Sequence, residues 1–250
     1  ADAGVDALYA EEPVNRLAET RPIRAEPSPV AAIQAPAVKT GPDLGAIIAQ
    51  ARELAAAAPD LAALEAAIAA FDGCGLKFEG ARRAVFARGA PDAPVMVIGE
   101  GPGAEEDAQG LPFVGKAGKL LDKMFAAAGL TDRVFITNTV YWRPPGNRTP
   151  TPAEQMVCQP FLERAIQLIS PRFLLLVGGV SAKSVLGREE GILTLRGRWF
   201  EWTAPDQTTV LPALPTLHPA FLLRQPAAKK KAWSDMLTLT ERLDRPDRPA

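Results

Sequence analysis

The amino-acid sequence predicts an α/β fold, a three-layer α/β/α sandwich around a central, mostly parallel four-stranded sheet. Three observations predict it. Four short runs rich in Val, Ile and Leu, namely VMVIGE (95–100), VFITNTV (134–140), FLLLVGG (173–179) and VLPALPTLHP (210–219), have the make-up of strands buried on both faces. Stretches of helical spacing separate these runs, as right-handed βαβ crossovers require. Gly99-Glu100, Asn138 and His218 each stand at the carboxyl end of a predicted strand, the rim where such folds gather their sites.

The elements follow in chain order. Residues 1–42 carry prolines at 13, 22, 27, 29, 36 and 42 among Ala, Glu and Arg without an apolar period, and are expected to form a flexible N-terminal extension to a domain over 43–245. GPDLGAIIAQARELAAAA and PDLAALEAAIAAF read as two short amphipathic helices, opened by Asp43 and Asp60. After the first strand, KAGKLLDKMFAAAGL has helical spacing and stops at Gly129. PAEQMVCQPFLERAIQLI is a long helix started by Pro152 behind Thr151. SAKSVLG is a brief helix, RGRWFEW an added hairpin segment, and AAKKKAWSDMLTLTERL the closing helix.

Charge and composition exclude some functions. No apolar run approaches the roughly 18 residues of a bilayer span, and ADAGVDAL lacks the layout of a secretory signal, so a cytoplasmic setting is expected. The net charge is −1, but it divides unevenly. From Arg143 onward 15 Lys and Arg stand against 10 Asp and Glu, whereas the preceding part has 13 against 19. Later loops are therefore able to build a basic face on a neutral protein.

The loop GEGPGAEEDAQGLPFVGKAG (99–118) lies between strand and helix, where phosphate cradles occur. It is not one of them. The third glycine falls one residue early, Pro102 removes an N–H, and Glu100, Glu105, Glu106 and Asp107 repel an anion. An acidic loop suits a site where positive charge develops or a water is oriented, as when a bond to an anomeric carbon breaks. Phe113, between Pro112 and Val114, offers a flat face to a heterocycle.

In order and in register, IGEGPGAEEDAQGLPFVGKAGKLLD, VFITNTVYWRPPGNRTPTPAE, FLLLVGGVSAKSVLG, RGRWFEW and LHPAFLLRQP resemble the family 4 uracil-DNA glycosylases, from about Phe71 to Leu243. The resemblance implies a monofunctional glycosylase that flips uracil out of DNA and hydrolyses its N-glycosidic bond, leaving an abasic site. It assigns Asn138 to reading uracil O4 and N3–H, Phe113 to stacking on the base, and His218 to the charge growing on O2. Glu100 orders the water, Glu106 crowds the C5 side of the base, and the backbone near Gly101 helps hold O2. The family usually has Ala where this chain has Gly101. Leu222 and Leu223 are expected as wedges in the vacated stack, Arg224 in the minor groove or at phosphate, and Arg143, Arg148 and Lys229–Lys231 at phosphates. The implied partner is uracil-containing DNA, single- or double-stranded, bound by a monomer.

Two departures stand out. Family members hold an iron–sulfur cluster on four cysteines, but Phe71 and Trp142 occupy two of those positions here and only Cys74 and Cys158 remain, so neither metal nor cofactor is expected. A further relative traps the sugar on a histidine after the second strand; YWRPPGNRTP has none, and turnover by water is expected. The competing expectation is a noncatalytic binder of uracil-containing or single-stranded DNA.

Overall fold

The computed structural model describes residues 43–245; the extension expected over 1–42 lies outside the described residues. Its elements run α1 (Leu44–Ala57), α2 (Leu61–Ala70), β1 (Ala87–Gly89), β2 (Val95–Gly99), α3 (Ala104–Gln109), α4 (Lys116–Ala127), β3 (Val134–Asn138), α5 (Pro152–Ile169), β4 (Phe173–Val177), α6 (Gly179–Leu186), α7 (Ile192–Leu195), β5 (Phe200–Thr203), β6 (Val210–Thr216), α8 (Pro219–Arg224) and α9 (Lys229–Asp244). Asp43 and Asp60 cap their helices as expected, accepting from the backbone N–H of Gly45 and Ala63 at 3.0 and 2.8 Å.

The sheet has six strands in the order β1-β3-β2-β4-β6-β5, rather than four. The central four are parallel, and β1 and β5 add antiparallel edges. The predicted hairpin segment is β5 paired with β6, whereas β1, only Ala-Arg-Gly, carries no strand signature. Successive residues of β2 alternate between two cores. Met96 and Ile98 face α1, α2 and α5, and Val95 and Val97 face α4 and α9.

The first core is joined to the amino-terminal helices by an aromatic group. Phe71 packs edge-on against Phe161 at 5.2 Å between centroids, and Tyr141 meets both Phe161 and Trp142 at 6.4 Å. Cys74 and Cys158 lie buried beside these rings as free thiols hydrogen-bonded to one another, and Cys158 is held well above the ordinary thiol range by that bond and by burial. These residues do not fit a four-iron cluster. Two sulfurs replace four, the rings of Phe71 and Trp142 are buried among the neighbouring side chains, and no three metal-binding side chains group together among the described residues.

At the carboxyl end of β6, Thr216 donates its hydroxyl to Asp235 of α9 at 2.7 Å, and Asp235 is forked by the Arg196 guanidinium. Arg196 and Asp235 are only 17% and 2% exposed, so removing one partner leaves the other charge buried. Asp235→Ala is expected to cost about 3–5 kcal/mol. In a thermal melt this lowers Tm by on the order of 10 °C; an unchanged Tm contradicts the brace.

Candidate active site

The carboxyl ends of β2 and β6 open on a cleft of about 540 Å³ whose lining includes Glu100, Gly101, Phe113, Arg148, His218 and Arg224, whereas Asn138, at the end of β3, is buried and does not line it. Gly99 and Asn138 end β2 and β3 as register partners. A Cβ on Gly99 would stand 2.4 Å from Asn138 Oδ1 and 2.5 Å from Phe113 Cζ, so the amide and the ring both press against the space a side chain would take. Asn138 is buried, and its Oδ1 is one of two buried side-chain atoms without a hydrogen-bond partner among the described residues, the other being Tyr141 Oη. A buried acceptor left open costs stability unless something pairs with it.

Phe113 is held in an uncommon backbone conformation, with φ of 55°. Three groups impose it. Arg88 donates to the carbonyls of Pro112 and Phe113 at 2.8 and 3.1 Å while pairing with Asp122. Glu106 accepts from the N–H groups of Val114 and Gly115 at 3.0 and 2.9 Å, and from Gly103 at 3.1 Å. Gly118 admits the Phe113 carbonyl, which would lie 1.7 Å from a Cβ there. Glu106 thus lines the cleft as expected, but its carboxylate is engaged in clamping the Phe113 loop onto α3.

His218 caps α8. Its Nδ1 accepts from the backbone N–H of Ala220 at 3.2 Å, so in the neutral ring the proton sits on Nε2. One side of the ring meets Phe113, 5.8 Å away and tilted by 34°, and Gly178 at φ +101° lies against the other part, where a Cβ would come within 3.1 Å of His218 Cβ. Burial, reinforced by the cation of Arg224, lowers the imidazole pKa from 6.5 to about 4. Glu100 moves the other way: burial raises its carboxyl above the ordinary 4.5, against a hydrogen bond with Thr149. Its backbone carbonyl is fixed by the Thr139 hydroxyl at 2.6 Å and the Val140 N–H at 3.3 Å. A Cβ at Gly101 would meet Val140 Cγ2 at 2.8 Å, which gives this chain a reason for glycine there.

The cationic and apolar rim departs from expectation in part. Leu222 is fully buried against Leu217 and Ala232 and is not available as a wedge, because α8 turns it inward with Pro219 one turn earlier. Leu223, next along the helix, is 45% exposed. Arg224 is exposed on the cleft wall. Arg148 reaches the cleft already paired with Glu154 at 2.7 and 2.9 Å and with Glu79 at 3.2 Å. Arg143 donates to Asn147 Oδ1 at 2.7 Å and lines a separate hollow with Glu79 and Gly146. Lys229, Lys230 and Lys231 are exposed at the start of α9. Arg88, Gly118 and Gly178 shape the site but were not legible as such, since each acts on a residue distant in the chain.

A lone histidine makes its titration easy to follow. Its carbon-bound proton signals in an NMR titration are expected to move with a midpoint near pH 4 rather than 6.5. The unfolded chain binds this proton first, so His218 contributes stability that is full above pH 6.5 and lost as pH falls through about 4. A midpoint near 6.5 contradicts the buried neutral ring.

Residues 86–237 match the family model of the Uracil DNA glycosylase superfamily. The Type-4 uracil-DNA glycosylase of Sulfurisphaera tokodaii is 38% identical over 164 residues, covering 63% of this chain and 74% of that protein. That of Thermotoga maritima is 39% identical over 142 residues, 56% of this chain and 71% of the relative. That of Saccharolobus solfataricus is 38% identical over 168 residues, 65% and 77% respectively. The strand-end rim of Gly99, Asn138 and His218 falls inside the matched span, and the chain belongs to the uracil-DNA glycosylase superfamily.

Proposed function

We propose that this chain is a uracil-DNA glycosylase of DNA repair, hydrolysing the bond between uracil and deoxyribose in uracil-containing DNA and leaving an abasic site. The observation that carries the reading is the open Oδ1 of Asn138, held against the Phe113 ring, which in turn faces His218. Uracil N3–H supplies the missing donor, and its O4 accepts from the Asn138 amide nitrogen. Cytosine reverses both groups and leaves the amide mispaired; sites built on such hydrogen bonds discriminate by roughly 10⁴–10⁵. Phe113 stacks on the base, at a fixed height set by Arg88 and Glu106.

As the C1′–N1 bond breaks, its electron pair passes to the base and negative charge gathers on O2. The Nε2–H of neutral His218 donates to that oxygen, and burial strengthens the interaction. Ionised Glu100 supports the cationic sugar, orients a water on C1′ and takes its proton as the C–O bond forms. Reaching this cleft requires the nucleotide to leave the stack, at a cost of a few kcal/mol. Leu223 is placed to fill the gap and Arg224 to contact phosphate, while Arg143 and Lys229–Lys231 add salt-sensitive backbone contacts. Arg148 serves there only by sharing its guanidinium with Glu154 and Glu79. The working form is a monomer in the cytoplasm; no described helix is long and apolar enough to cross a membrane.

The test is to incubate the protein with a uracil-containing oligonucleotide, treat with alkali and look for strand breaks. Breaks at uracil are expected; intact strands with retained binding point instead to a noncatalytic binder. Glu100→Gln is expected to lower kcat by about 10²–10⁴. It also removes the acid limb of the pH profile, which in the unaltered enzyme lies above pH 4.5, because activity is lost as Glu100 protonates. A limb that survives the substitution assigns the proton elsewhere. Gly99→Ala, which drives a methyl into Asn138 and Phe113, is expected to cost on the order of 10² in kcat/KM with the fold intact by circular dichroism.

A further inference from the structure

A second cavity, about 260 Å³, lies behind His218 and is walled by Gly178, Ile192, Leu193, Leu217, His218 and Phe221. The histidine and Phe221 line both this cavity and the cleft, so the imidazole is a partition between them. We propose that this cavity binds the nucleobase adjoining the uridine to be excised, with Leu193 as the side chain that covers it. The inference rests on the glycosylase reading.

Three features support that occupant. The walls are aliphatic, aromatic and glycine backbone, suited to the flat faces of a heterocycle. Gly179 presents no Cβ beside Ile192, which lets a ring approach the chain closely. Leu193 is 65% exposed on α7, although the segment following it is fixed by the Arg196–Asp235 pair, so an apolar side chain is held in solvent at the mouth of a cavity rather than packed away. The cavity adjoins the cleft across the His218 ring, so the base of the nucleotide covalently joined to the uridine lies within reach. Arg224, exposed on the cleft wall, forms no ion pair with a carboxylate among the described residues and is placed for the intervening phosphate.

The experiment compares single-turnover excision from single-stranded oligonucleotides with one uracil. One has both natural neighbours; the others carry an abasic analogue on the 5′ or on the 3′ side. The unaltered enzyme is expected to lose about tenfold in kcat/KM when one particular neighbour is missing, within the range of a single stacking contact. Leu193→Asn is expected to lose a similar factor on the natural oligonucleotide and little more on the abasic one, so that the two losses are not additive. Leu237→Asn, also exposed but on α9, is expected to behave as the unaltered protein. Equal rates on all three oligonucleotides, or additive losses, overturn the inference and leave the glycosylase reading standing. Absence of excision from every oligonucleotide overturns both.

Discussion

The site rests on a missing side chain. Gly99 ends a strand buried on both faces, and its bare Cα allows the amide of Asn138 and the ring of Phe113 to occupy one spot from different segments. The base-recognising arrangement proposed above is built outward from that contact. Parallel pairing of β2 with β3 sets the amide at the right height. The strained loop at Phe113, costing about 1–3 kcal/mol, is offset by the guanidinium of Arg88 and the carboxylate of Glu106. Two charged side chains, distant from one another in the chain, therefore fix where an aromatic plane stands.

The electrostatics of the cleft follow from the same enclosure. Burial pushes Glu100 and His218 in opposite directions, each toward its neutral form. In the proposed reaction this suits the imidazole at neutral pH, because a ring with its proton on Nε2 stabilises a growing anion without carrying a charge that the empty site would have to solvate. For the carboxylate it is a tension: burial opposes the ionised form, and the hydrogen bond with Thr149 partly restores it. Burial thus makes the Glu100 carboxylate a stronger base than it would be on an open surface, which suits the water-activating role proposed for it.

Much of this was legible in the sequence where local pattern and burial agree. The four central strands are continuous apolar runs, and their ends carry Glu100, Asn138 and His218 onto one rim, as the parallel topology dictates. What escaped depends on tertiary contact. Strand β1 is three residues long, with one arginine, and is a strand only because β3 lies beside it. Leu222 and Leu223 read alike in a leucine-rich stretch, yet a short helix sends the first into the core and the second to solvent. Glu106 shows its chemistry in its type but not its partners, the N–H groups of Val114 and Gly115. Arg148 reads as an open cation, and only the fold shows that Glu154 and Glu79 share its guanidinium.

The aromatic packing around Phe71, Tyr141, Trp142 and Phe161 bears on how the protein comes into being. Cohesion between the first helices and the sheet is supplied by carbon surfaces already present in the nascent chain. Docking of these helices thereby draws on dispersion and apolar burial, which form as the chain folds.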